Sequence, residues 1–185
     1  MTKAYIVTES PRHQEILQAT LPSDLLQGIT FIKNESKYGA EALTRSILSS
    51  HQIPVVLVIN ADTSSESAIS TYQQNLELLT HSVTINTPFK LLQAIPTIET
   101  VFLQDRTWVE QWIGRSLSDL EWKLGQKHPQ DLLQESSKNI EEFVKFTLKN
   151  LTDERLQTLR QHPLIQEIVN FLATQVHHTN PALAS

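Results

Sequence analysis

Residues 55–59 read Val-Val-Leu-Val-Ile, the most apolar run in the chain, opened by Pro54 and followed by Asn60-Ala61-Asp62. Its β-branched content and its lack of polar alternation predict a strand covered on both faces. Such a strand belongs in the middle of a parallel sheet, with helices above and below it.

The rest of the first half supports that placement. Residues 3–8 read as a second buried strand and 29–33 as a third, while 11–21 and 38–51 carry apolar residues at helical spacing, Ile16, Leu17 and Leu21 in one and Ala42, Leu43, Ile47 and Leu48 in the other. Ser10-Pro11 is a strong helix start, since the hydroxyl caps free amides and proline at the first position loses no hydrogen bond. Thr63-Ser64-Ser65-Glu66 fits a capping box, which predicts a helix starting directly behind Asp62 and running to about residue 81. Residues 82–86 are a candidate fourth strand, and 89–95 are ambiguous between strand and helix.

After Pro96 no further strand is convincing and about five helices follow. Gly114 can close one, Ser118-Asp119-Leu120-Glu121 can cap the next, and Gly125 followed by Pro129 marks a break. Strands alternating with helices imply right-handed crossovers and a mainly parallel sheet with flanking helices, a Rossmann-like three-layer α/β fold. The expected organisation is an α/β domain over 1–96, a helical extension over 97–179 packed on or beside it, and a flexible tail at 180–185.

Composition narrows the chemistry. The 185 residues include no cysteine, which removes disulfides, thiolate zinc sites and thiol nucleophiles together. Net charge is −5 and no basic half is hidden within it: residues 1–100 hold 6 Lys and Arg against 9 Asp and Glu, and the remainder 9 against 11. Tight non-specific binding of a phosphate backbone draws on clustered Lys and Arg, so the balance argues against a dedicated nucleic-acid binder, though not against a local nucleic-acid substrate site. The start of the chain lacks the succession of a signal peptide, and no apolar stretch approaches the roughly 20 residues that span a bilayer. A cytoplasmic protein without membrane contact is the expectation.

Glu9 follows the first strand and Asp62 the third, each before a helix, and strand ends are where parallel α/β folds place their chemistry. Taken singly, each carboxylate can instead complement a helix N-terminus. The order strand, Glu9, helix, strand, helix, strand, Asn60-Ala61-Asp62, helix resembles the topoisomerase-primase (TOPRIM) domain over roughly residues 3–100, most of all the compact form in OLD-type nucleases. That family places a glutamate after the first strand and an Asp-x-Asp pair after the third. Glu9 matches the glutamate, and Asn60 and Asp62 fall on the pair.

The resemblance implies Mg²⁺ or Mn²⁺ held by Glu9, Asn60 and Asp62, with Glu99 as a further carboxylate, for nuclease-like phosphoester hydrolysis. Glu9 and Asp62 are then the catalytic carboxylates. Independently of the resemblance, the loop 33–39 leads from the second strand into the second helix, where Lys37 and free helix amides can meet a phosphate. Asn60 in place of an aspartate supplies an oxygen without a charge, and Ser10-Pro11 stands where the family has glycine. Both departures imply a weakened metal site. The residues alone leave Glu99 open as a solvated glutamate at a helix start, and 33–39 as an ordinary polar loop without phosphate-binding glycines. Alternative functions are a non-catalytic regulatory or partner-binding protein, with a homodimer or partner face in the helical half, and a receiver-like signalling domain.

No histidine pair has metal-ligand spacing, and His177-His178 are adjacent. His13 alone is placed near Glu9, and surface exposure is its expected state. Trp108, Trp112 and Trp122 read as core packing in preference to a binding surface. No Gly-x-Ser-x-Gly elbow supports a serine hydrolase.

Overall fold

The computed structural model describes residues 2–84, 86–134 and 139–178. Four parallel strands, β1 (Ala4–Thr8), β2 (Ile29–Lys33), β3 (Val55–Asn60) and β4 (Phe89–Ala94), form one sheet in the order β2-β1-β3-β4. The α/β class expected from the sequence is correct. β3 is central, paired to β1 from Tyr5 opposite Val55 and to β4 from Val55 opposite Phe89. Val55 to Ile59 are fully buried, as their continuous apolar run requires.

The crossover rule explains the layers. The chain moves outward from β1 to β2, then back across β1 to β3 and on to β4, so right-handed connections put α1 (Pro11–Thr20) on one face and α3 (Lys37–His51) and α4 (Glu66–His81) on the other. The side chains divide accordingly. Val55, Leu57 and Ile59 pack with Ala40, Ile47, Leu48 and Leu76, whereas Val56 and Val58 pack with Ile16 and Leu17. A short helix, α2 (Ser23–Leu26), leads from α1 into β2.

With α1 over the β1–β2 side, the same face of β3 and β4 would be bare. The second half covers it with a 3-10 turn (Ile98–Phe102) and six helices among the described residues: α5 (Arg106–Ile113), α6 (Asp119–Lys127), α7 (Pro129–Gln134), α8 (Ile140–Lys149), α9 (Asp153–Arg160) and α10 (Pro163–His178). α10 packs on β4, and α8 and α9 pack on α1. Phe102, Trp108, Phe143, Ile165 and Leu172 join Val56, Val58 and Leu92 in one continuous core. Trp108 and Trp112 are buried there and Trp122 packs against it, so the tryptophans serve packing.

Several local expectations need correction. α4 starts at Glu66 behind Ser65, and the Thr63 capping box does not form: Thr63 Oγ1 accepts the Ser65 N–H at 3.1 Å and ties up the loop instead. Asp62 is therefore separated from the helix by a short loop. No strand forms over 82–84, where the chain turns after α4, and Ile85 lies outside the described residues; the fourth strand is the ambiguous segment 89–95. The break expected between Gly125 and Pro129 does occur, at His128, but Gly125 itself sits inside α6. A Cβ there would come within 2.2 Å of Leu132, so glycine lets α7 approach closely, and the helix ends at Lys127 with His128 as its C-cap. Gly114 does close α5 at φ +84°, and the Ser118–Glu121 capping box forms. The expected tail at 180–185 lies outside the described residues.

Candidate functional site

β1 and β3 are neighbours whose onward connections run in opposite directions, the arrangement that opens a crevice at the carboxyl ends of parallel strands. A cleft of about 610 Å³ lies there, lined by Glu9 and Asn60-side residues from the strand ends, Lys37 from α3, and Glu141 and Lys145 from α8. The helical half thus forms one wall. Five carboxylates and three cations line the cleft, a balance that favours a cationic guest over a bare anion.

Ser10 caps α1 as its sequence promised, accepting the His13 N–H at 3.4 Å, and this sets the whole site. His13 is 2% exposed, contrary to the surface position expected for it. Asn60 Oδ1 accepts the Ile98 N–H at 2.8 Å and lies 3.0 Å from His13 Nε2. An oxygen can only accept, so Nε2 carries the proton and Nδ1, 2.8 Å from Ser10 Oγ, accepts the serine hydroxyl. Burial holds the imidazole down at about 4, so it is neutral near pH 7.

Glu9 Oε1 accepts the Asn60 N–H at 3.1 Å and lies 3.5 Å from His13 Nε2. Its Oε2 is buried without a hydrogen-bond partner. Burial raises the Glu9 pKa; the Asn60 N–H and Lys37 oppose that shift, while the charges of Asp62 and Glu99 reinforce it. Glu9 therefore sits in the electrostatic field of both other carboxylates.

Asp62 adopts a left-handed backbone conformation, φ +56°, which aspartate tolerates better than most residues. Its N–H donates to Pro96 O at 2.9 Å and the preceding Ala61 N–H to Ala94 O at 2.8 Å, so the end of β4 holds the loop. The carboxylate is 59% exposed and ion-paired with Lys37. Lys37 opens α3 directly after Ser36, which caps that helix by accepting the Gly39 N–H at 3.1 Å. The Asn34 N–H donates to Thr8 O at 2.8 Å, and Asn34 Oδ1 packs so close to Gly39 that a Cβ there would stand 2.2 Å away. The loop 33–39 is thus fastened to the end of β1, with Lys37 at its tip. The lysine also lies 5.8 Å from the centre of the Tyr72 ring.

Glu99 is 1% exposed, so the solvated reading of it does not hold. Arg12 Nη1 donates to its Oε1 at 2.9 Å, while Oε2 has no partner. Arg12 escaped the sequence reading altogether; its signal was a cation one residue after the Ser10-Pro11 helix start.

Both carboxylates of the strand-end pair thus line one crevice, and Lys37 is ion-paired with Asp62 there. Asn60 reaches it differently: its side-chain oxygen already takes two donors and works as a brace. Among the described residues no group of three or more His, Asp or Glu side chains converges as a metal cage. The residues that fit a hard divalent cation are Glu9, whose buried Oε2 lacks a donor, and Asp62, whose carboxylate is open to the cleft.

No protein-family model matches the sequence, and no curated protein is similar to it in sequence. Solved structures are similar in fold. The C-terminal region of the OLD protein of Xanthomonas campestris pv. campestris superposes with a TM-score of 0.51 at 12% identity, over 96% of this chain and 99% of that one. The C-terminal region of the Burkholderia pseudomallei OLD protein gives 0.48 at 13% identity, over 96% and 98%. At these identities the likeness is one of fold, and in the first case it spans both the sheet and the helical half.

Proposed function

We propose that this protein is a TOPRIM-like phosphoester hydrolase of the nuclease-like kind, with a divalent-cation site reduced to two carboxylates. The observation that carries the reading is the convergence of Glu9 and Asp62 at the ends of the adjoining strands β1 and β3, in a cleft of net negative charge. The fold likeness to the Xanthomonas OLD region supports it.

Glu9 Oε2 and the Asp62 carboxylate would hold Mg²⁺ or Mn²⁺. The cation would neutralise phosphate charge and acidify a bound water. Glu99 would act from behind, through Arg12. Lys37, one residue into α3, is the cation placed to meet a substrate phosphate. Neutral His13 keeps Asn60 fixed, and Asn60 in turn fixes Glu9 through its backbone N–H.

The test is hydrolysis of single- and double-stranded DNA and RNA with Mg²⁺ or Mn²⁺, by wild type, Glu9→Gln and Asp62→Asn. Loss of roughly 100-fold or more in each variant is expected; cleavage that survives both substitutions overturns the assignment. The alternative, a non-catalytic protein that kept the fold, draws on one observation: Lys37 already balances Asp62 while the Asn60 oxygen is spent on hydrogen bonds. Wild type that folds yet neither cleaves nor binds Mn²⁺ would favour it.

A further inference from the structure

Lys37 occupies an unusual station for a substrate-binding lysine. Its ammonium rests on Asp62 Oδ2, one of the two carboxylates assigned above to a divalent cation. Its root is fixed by the Ser36 cap and the Asn34 anchor, so only the four-carbon stem is free to move. Two features beside the ion pair bear on where that stem can go. The Tyr72 ring lies 5.8 Å from Nζ, and Glu41, four residues along α3 and therefore on the same helix face, accepts the Tyr72 hydroxyl.

A divalent cation between Glu9 and Asp62 would meet the lysine charge at close range. Mono- and dication repel strongly at a few ångströms, and Asp62 cannot give its Oδ2 fully to both. We propose that Lys37 is a built-in counter-ion that competes with the divalent cation for Asp62. The site then has two charge states: without the cation, Lys37 neutralises Asp62; with it, the ammonium leaves Asp62 for Glu41, along the Tyr72 ring it already borders, or for a substrate phosphate. Cation loading and release of the phosphate-binding lysine become one event. The inference rests on the cation reading of the site and adds how that site is regulated.

Mn²⁺ binding, read from the electron paramagnetic resonance signal of the free ion, separates the cases for wild type, Lys37→Met, Lys37→Gln and Lys37→Met/Asp62→Asn. Thermal melting without metal confirms that each variant folds. Both single variants should bind Mn²⁺ about tenfold more tightly than wild type, through a broken ion pair and a removed like charge. The double variant should lose the gain. If wild type binds Mn²⁺ and both single variants bind equally or more weakly, the competition is refuted while the cation site stands. If neither wild type nor either single variant binds millimolar Mn²⁺, the cation site itself fails and the competition with it.

Discussion

Asn60 Oδ1 accepts from His13 Nε2 at 3.0 Å, tying the end of β3 to the first turn of α1 across 47 residues of sequence. The same oxygen accepts from Ile98 N at 2.8 Å, so one amide braces three segments. The asparagine at this strand end thus gives the crevice a structural member that needs no metal to be satisfied.

Asn60→Ala should therefore be costly even without any ligand. Two buried donors, His13 Nε2 and Ile98 N, would lose their acceptor, at about 1–3 kcal/mol each. Urea denaturation should give a loss of about 2–6 kcal/mol. A change below about 0.5 kcal/mol, the range of ordinary surface substitutions, would sink the bracing role.

His13 makes stability depend on pH. Its folded pKa is held at about 4 by burial, below the ordinary 6.5, so the unfolded chain takes up this proton first as pH falls. The contribution is complete above 6.5 and is lost as pH drops toward 4, on the order of 3 kcal/mol over that window. Glu9 has a raised pKa and pulls the opposite way. The informative quantity is the difference between wild type and His13→Asn in denaturant unfolding at pH 7 and pH 4, which should shrink by that amount. An unchanged difference would mean that the imidazole is not held neutral.

What the sequence revealed and concealed follows from the range of the interactions. Glu9 and Asp62 were visible because strand ends and helix starts are local patterns, and Ser10-Pro11 marks one of them sharply. The all-buried run 55–59 placed the sheet centre for the same reason. His13 and Glu99 were misjudged because what buries them is distant: Asn60 for one, Arg12, 87 residues away, for the other. Residues 89–94, Phe-Lys-Leu-Leu-Gln-Ala, carry neither strand nor helix periodicity, and become a strand through pairing with β3 and cover from α10. The Thr63 capping box failed because the hydroxyl found a nearer donor, Ser65 N.

The Arg12–Glu99 pair should respond unequally to its two deletions. Glu99 is 1% exposed and Arg12 31%, so removing the arginine strands a buried carboxylate, while removing the glutamate leaves a guanidinium that reaches water. Arg12→Met is expected to cost about 3 kcal/mol, and Glu99→Gln should cost less than half as much. Equal losses in urea denaturation at pH 7 would show that the buried carboxylate draws its support from elsewhere.

The helical half bears on whether 1–96 can stand alone. Right-handed crossovers leave much of one face of β3 and β4 without a helix from the first half, and Val56, Val58, Leu92 and Ala94 on that face share one core with residues from 98 onward. A fragment ending at residue 96 would expose that apolar face and would also lose the Ile98 N–H that Asn60 accepts. It should lack a cooperative thermal transition and should bind a hydrophobic dye, whereas the full chain should melt cooperatively without binding it. A fragment that melts cooperatively without dye binding would make 1–96 an independent domain with the helices as an addition. The expected failure would make the helical half part of the same folding unit, as its wall of the cleft, Glu141 and Lys145, already is in space.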